Sequence, residues 1–197
     1  MILRRPRAPV RENSNSESVG PTLKIVRAWT SGVIRSHGAE ILRRGCSIYL
    51  LSVGSLAEAT LRRSLLSAAG EGNSHIMIPA GALAGFDGLL TLASDNLRSV
   101  KYTSTKPCKA WHGTVASQTH ALDRLTERTV IFQGNAGDAA RLFPKNANLA
   151  AAVALAGIGF ERTQVMHHTI LARAAQANDA RSARSLQCVQ KCNVYYC

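Results

Sequence analysis

From about residue 24 the chain alternates between short apolar runs and stretches with helical spacing. SIYLLSV (47–53) is an unbroken apolar run of strand length, the pattern of a strand buried on both faces. Ser55 and Glu58 follow at the spacing of a capping box, in which the hydroxyl takes a first-turn amide and the carboxylate reaches back. Leu61, Leu65, Leu66 and Ala69 then recur at helical intervals, so a helix is expected over 57–69, stopped by Gly70 and Gly72. A further helix is expected over 33–44, with Arg43 and Arg44 favourably near its C-terminus and Gly45 ending it. HIMIPA (75–80) reads as the next strand, and GALAGFDGLLTLAS (81–94) as a tight turn leading into a helix.

Beyond residue 80 the strands become more polar. VKYTSTK (100–106) and TVIFQG (129–134) alternate, which suits a mixed or antiparallel sheet faced by helices. AGDAARLF (136–143) is a short helix ended near Pro144. NANLAAAVALAGIG (146–159) is apolar on nearly every side and is therefore expected to be buried. RTQVMHHTIL (162–171) starts a further strand. The pattern is α/β, with a change of domain near residues 75–82. No internal repeat is present. After about residue 166 no clear periodicity remains.

Composition adds three constraints. Hydrophobic residues make up 46% of 197, enough for a core, while aromatics are only 5%. Ala, Leu and Gly therefore do the packing. The net charge is +12, of which residues 1–30 carry +4 (six basic, two acidic) and residues 161–197 carry +3 (five basic, two acidic). More than half of the excess sits at the two ends, so no nucleic-acid partner is expected. No apolar run approaches membrane-span length, and the first twenty residues lack the apolar stretch of a secretory signal, so no membrane partner is expected. Cys46 and Cys108 stand alone. Cys188 and Cys192 approach zinc spacing without a nearby His, so free thiols and no metal are expected.

Three segments carry a resemblance: IMIPAGALAGFDGL (76–89), VKYTSTKP (100–107) and above all GNAGDAARLFPKNANLAAAVALAGIGFERTQV (134–165). With SGVIRSHGAEILRRGCSIYLLSVGSLAE (31–58) upstream, the chain resembles the L-aspartate dehydrogenases over roughly residues 28 to 165. The resemblance implies a partial Rossmann-type parallel sheet followed by an α+β catalytic and dimerisation domain with a mixed sheet. The expected division is a disordered basic arm (1–23), a partial dinucleotide-binding domain (24–80), a catalytic domain (81–166) and a divergent tail (167–197). It also implies NAD or NADP as cofactor, L-aspartate as substrate, iminoaspartate or oxaloacetate plus ammonia as product, a role in pyridine nucleotide synthesis, a homodimer and a cytoplasmic location.

The family's cofactor contacts map to Ala82 and Asn148. A small residue at Ala82 lets a planar ring approach backbone. Asn148 offers a carboxamide donor and acceptor; a helix cap is its other reading. Lys145 and Asn146 beside it are expected on the substrate side, Lys145 facing a carboxylate; a plain surface lysine is the alternative.

Two family features have no match. The pyrophosphate loop G-x-G-x-x-G is represented only by GEGNSH (70–75) and GIGFER (157–162), both without the last glycine. The family's catalytic His, in an Asn-x-His motif about thirty residues past the cofactor Asn, falls near Asn178 and Asp179, where no His stands. No catalytic residue is assigned. His167 and His168 are expected as a strand-end or surface pair, and His37, His75, His112 and His120 have no metal or triad spacing. The alternative function is an inactive remnant of the family that at most dimerises, its reading frame truncated or frameshifted at the ends.

Overall fold

The computed structural model describes residues 1–3, 25–28, 31–81, 83, 85–93, 97–170 and 189–195. The chain forms two compact units, Met1–Pro79 and Ala80–Cys197.

The first unit is a four-stranded sheet in the order β1-β4-β3-β2, with β1 at Ile2–Leu3, β2 at Ile25–Ala28, β3 at Ser47–Leu50 and β4 at Ile76–Met77. β2, β3 and β4 run parallel, with Ile25 opposite Ser47 and Ile48 opposite Ile76. β1 adds antiparallel to β4, Ile2 opposite Met77. Residues 2–3, expected to open a disordered arm, are thus in the sheet; residues 4–24 lie outside the described residues.

Helix α1 (Ser31–Arg43) buries Ile34, Gly38 and Leu42, four residues apart on one face. Helix α2 (Ala59–Glu71) buries Leu65, Ala68 and Ala69. The two helices approach closely at glycines. A Cβ on Gly38 would stand 2.8 Å from Leu65 Cδ2, and one on Gly72 would stand 1.9 Å from the Leu42 carbonyl oxygen. Gly45, at φ +76°, ends α1 as expected.

The capping box is a correction. Ser55 lies inside a 3₁₀ turn, Val53–Ala57, and its hydroxyl donates back to the Ser52 carbonyl at 2.8 Å. That turn delays the helix to Ala59. Glu58 occupies the cap position without a side-chain cap bond, and its carboxylate instead pairs with Arg35 and accepts from Thr60.

The second unit holds a mixed sheet in the order β6-β7-β5-β8. β5 (Ser99–Pro107) and β7 (Thr163–Ile170) are parallel neighbours. β6 (Thr129–Asn135) and β8 (Val189–Tyr195) flank them antiparallel. β8 comes from the segment read as a divergent tail, as does the end of β7; residues 171–188 lie outside the described residues.

The helices of this unit are α3 (Phe86–Leu92), α4 (Ala116–Thr119), α5 (Ala136–Leu142) and α6 (Asn148–Ala156). α5 begins where Asn135 Oδ1 accepts the Asp138 amide at 2.8 Å. α6 buries Ala150 to Ala154 and Ala156, confirming that the small-residue helix lies in the core.

The Gly72 contact is with backbone, which cannot yield as a side chain would. Gly72→Ala should destabilise the chain by about 3 kcal/mol in urea unfolding. Gly70→Ala, where a Cβ meets nothing within 4 Å, should change stability by less than about 1 kcal/mol.

Candidate functional site

Of the four site residues expected from sequence, Lys145 and Asn146 fall in one turn before α6, Asn148 opens α6, and Ala82 lies outside the described residues. Phe143 is buried and anchors the turn; Pro144–Asn146 form a single 3₁₀ turn, and Ala147 is buried beneath α6. Lys145 and Asn148 are exposed, and Asn146 is half-buried. Asn148 is the first residue of α6, while the cap position is taken by Ala147.

The turn meets the C-terminal end of β5. Lys106, the penultimate residue of β5, donates from Nζ to Asn146 Oδ1. The same Nζ lies 5.7 Å from the centroid of the Trp111 ring, within cation–π range. Lys106 thus has a fixed position, held by an amide oxygen forty residues away and by a buried indole.

Below it lies a buried histidine. His167 is 0% exposed, which corrects the expectation of a strand-end or surface residue. Alternation along β7 explains the placement: Thr163, Val165, His167 and Thr169 all point inward. Register sets His167 opposite Ser104 on β5, and Ser104 Oγ and His167 Nδ1 are 2.6 Å apart. Trp111, Phe132, Phe143 and Tyr102 surround the imidazole, with ring centroids 5.2 to 6.4 Å away. Burial pushes the His167 pKa down to about 4, and the positive charges of Lys106 and His168 act in the same direction. The ring is therefore neutral near pH 7. Its Nε2, like Trp111 Nε1 and Thr163 Oγ1, has no hydrogen-bond partner among the described residues. A neutral ring enclosed by aromatics is a structural group and not an exchanger of protons with solvent.

The arrangement can hold an anion: an anchored ammonium, an amide and a helix start lie together at a strand end. None of the expected site residues lines the pocket bordered by His112, Ser117, His120, Asp123 and Arg124. Among the described residues no group of His, Cys, Asp and Glu is placed to hold a metal ion. Cys46 and Cys108 are free thiols. Asn178 and Asp179 lie outside the described residues, as do Cys188 and Cys197.

Comparison with known proteins bears on the same stretch. Residues 87–178 match the family described as aspartate dehydrogenase, C-terminal. L-aspartate dehydrogenase of Cupriavidus necator is 46% identical over 132 residues, 67% of this chain and 50% of that protein. That of Ralstonia nicotianae is 41% identical over 160 residues, 81% of this chain and 59% of that protein. Over these stretches the chain is similar to the aspartate dehydrogenases. It spans about half the length of the curated relatives it matches. The crystal structure of aspartate dehydrogenase from Thermotoga maritima superposes with a TM-score of 0.64 at 23% identity, over 80% of this chain and 62% of that one, so the fold is shared as well.

Sequence reasoning missed Lys106 and His167. Lys106 was visible only as a residue of a β-rich run. No local signal set His167 apart, because the inward positions Thr163 and Thr169 of the same strand are polar as well.

A histidine neutral when folded and charged when unfolded binds fewer protons in the native state between its two pKa values. Stability is therefore present above the unfolded value of 6.5 and lost as pH falls toward about 4. Urea unfolding should show a His167 contribution of about 2 kcal/mol lost between about pH 7 and about pH 5. His167→Gln should remove that share of the pH dependence. An unchanged pH dependence in the variant would show that His167 is not the group responsible.

Proposed function

We propose that this chain carries the substrate-binding part of an L-aspartate dehydrogenase, oxidising L-aspartate to iminoaspartate with NAD or NADP. The imine then hydrolyses to oxaloacetate and ammonia or feeds pyridine nucleotide synthesis. The observation that carries this reading is the FPKNAN turn, which sets Asn146 against Lys106 at a strand end and Asn148 at the start of α6. The reading includes a cytoplasmic location and a homodimer.

The chemistry divides between cofactor and protein. When bound, the nicotinamide accepts the hydride from the α-carbon. The residues here fit the amide end of that cofactor. Asn148 is exposed and carries both a carboxamide donor and an acceptor, and no side chain caps the start of α6. Ala82, outside the described residues, belongs to the same reading as a small side chain that would let a planar ring approach backbone. The glycine loop that would hold the pyrophosphate has no match in the sequence, so no role in phosphate binding is assigned to any residue. Lys145 and Asn146 serve the substrate side: an exposed ammonium draws in a dianion, and an amide orients a carboxylate.

The test is an NADH fluorescence titration of the full chain, with rates of aspartate-dependent NAD(P) reduction. Saturable binding and turnover are expected. Asn148→Ala should raise KM for the nucleotide about tenfold, and Lys145→Ala should raise KM for aspartate by a similar factor. Absence of both binding and turnover would favour a folded family member without the activity.

A further inference from the structure

The cation expected from sequence to meet a substrate carboxylate is Lys145, yet that side chain is exposed. One residue further on, Asn146 is already engaged by a different lysine. Its Oδ1 accepts from Lys106 Nζ, while its Nδ2 makes no hydrogen bond among the described residues. An amide whose oxygen orients an ammonium leaves its two N–H donors for a second acceptor. A carboxylate has two oxygens in one plane. It can take one bond from an ammonium and another from an amide N–H, and both are stronger than neutral bonds.

We propose that Lys106 is the anchored cation that receives a carboxylate of the dicarboxylic substrate, with Asn146 as its positioning residue. This rests on the aspartate dehydrogenase reading and adds to it a residue that the family motif did not supply.

Three observations support the assignment. First, Lys106 is held before any ligand arrives. Its bond to Asn146 and its place over the Trp111 ring remove most of the rotamer freedom that a surface lysine such as Lys145 would lose on binding. Second, the ammonium is half-buried and close enough to the buried His167 for its charge to oppose protonation of that ring. A charge felt in the interior is poorly screened, so an incoming anion gains more from it than from a charge in bulk water. Third, Lys106 is at the C-terminal end of β5 where it runs parallel to β7, opposite Thr169. That end of parallel strands is where ligands bind in α/β sheets.

The experiment uses the full chain and four proteins: wild type, Lys106→Met, Lys106→Arg and Asn146→Ala. The readouts are KM and kcat for L-aspartate at saturating nucleotide, calorimetric titration with succinate, and the urea midpoint. Methionine keeps the apolar stem over Trp111 and removes only the charge. Lys106→Met should raise KM for aspartate about 100-fold, leave kcat within about threefold and abolish succinate binding. Lys106→Arg should restore KM to within about tenfold of wild type. Asn146→Ala, which removes the amide oxygen that orients the ammonium, should raise KM about tenfold with the urea midpoint nearly unchanged. Wild-type turnover with an unchanged KM in Lys106→Met overturns the Lys106 assignment alone. A wild-type chain that neither binds succinate nor oxidises aspartate overturns the aspartate dehydrogenase reading, and this inference with it.

Discussion

Parallel pairing of β5 with β7 is the constraint on which the second unit depends. Parallel strands cannot be joined by a tight turn; the chain between them must leave the sheet and return. Here the return takes in α4, β6, α5, the Pro144–Asn146 turn and α6. That crossover brings the FPKNAN turn to the C-terminal end of β5, where Asn146 finds Lys106. The same pairing sets Ser104 beside His167 in the core. A one-residue slip would turn every inward side chain of β7 outward and would separate both pairs. The register of one strand pair thus fixes a buried polar contact and a surface cation together.

The two contacts also share an electrostatic field. A buried imidazole beside a lysine is tolerable only if it stays neutral, and burial together with the Lys106 and His168 charges keeps it so. The neutral ring in turn costs Lys106 nothing by repulsion. Aromatic walls from Trp111, Phe132 and Phe143 exclude water from the ring, and Trp111 offers its π face to the ammonium. One indole therefore serves both the core and the site. This explains why a chain with so few aromatics concentrates several of them here.

The sequence made the periodic elements legible and the long-range pairs illegible. Leu65 and Ala69 on α2, and the all-apolar α6, could be read because each follows from local spacing. The family was legible in FPKNANLAA because that string is specific. Lys106 was not, because its partner is forty residues away and nothing in VKYTSTK distinguishes an anchored lysine from a solvated one. His167 was misjudged for a different reason. The inner face of β7 carries two threonines and a histidine, so the rule that buried faces are apolar points the wrong way. Ser55 failed as a cap because a 3₁₀ turn stood between it and the helix, and turn type depends on backbone geometry that a three-residue spacing does not encode.

The chemistry expected of the family makes two separate demands on the protein. Pyrophosphate needs backbone amides presented by glycines, with no side chains in the way. A dicarboxylate needs fixed cations and amides, and these come from side chains on rigid elements. In the proposed reading the second unit answers the latter demand in its own residues: Lys106 on a central strand and Asn146 in a turn anchored by buried Phe143. Both are held within that unit, Lys106 by Asn146 and the Trp111 ring and Asn146 by the turn that Phe143 anchors.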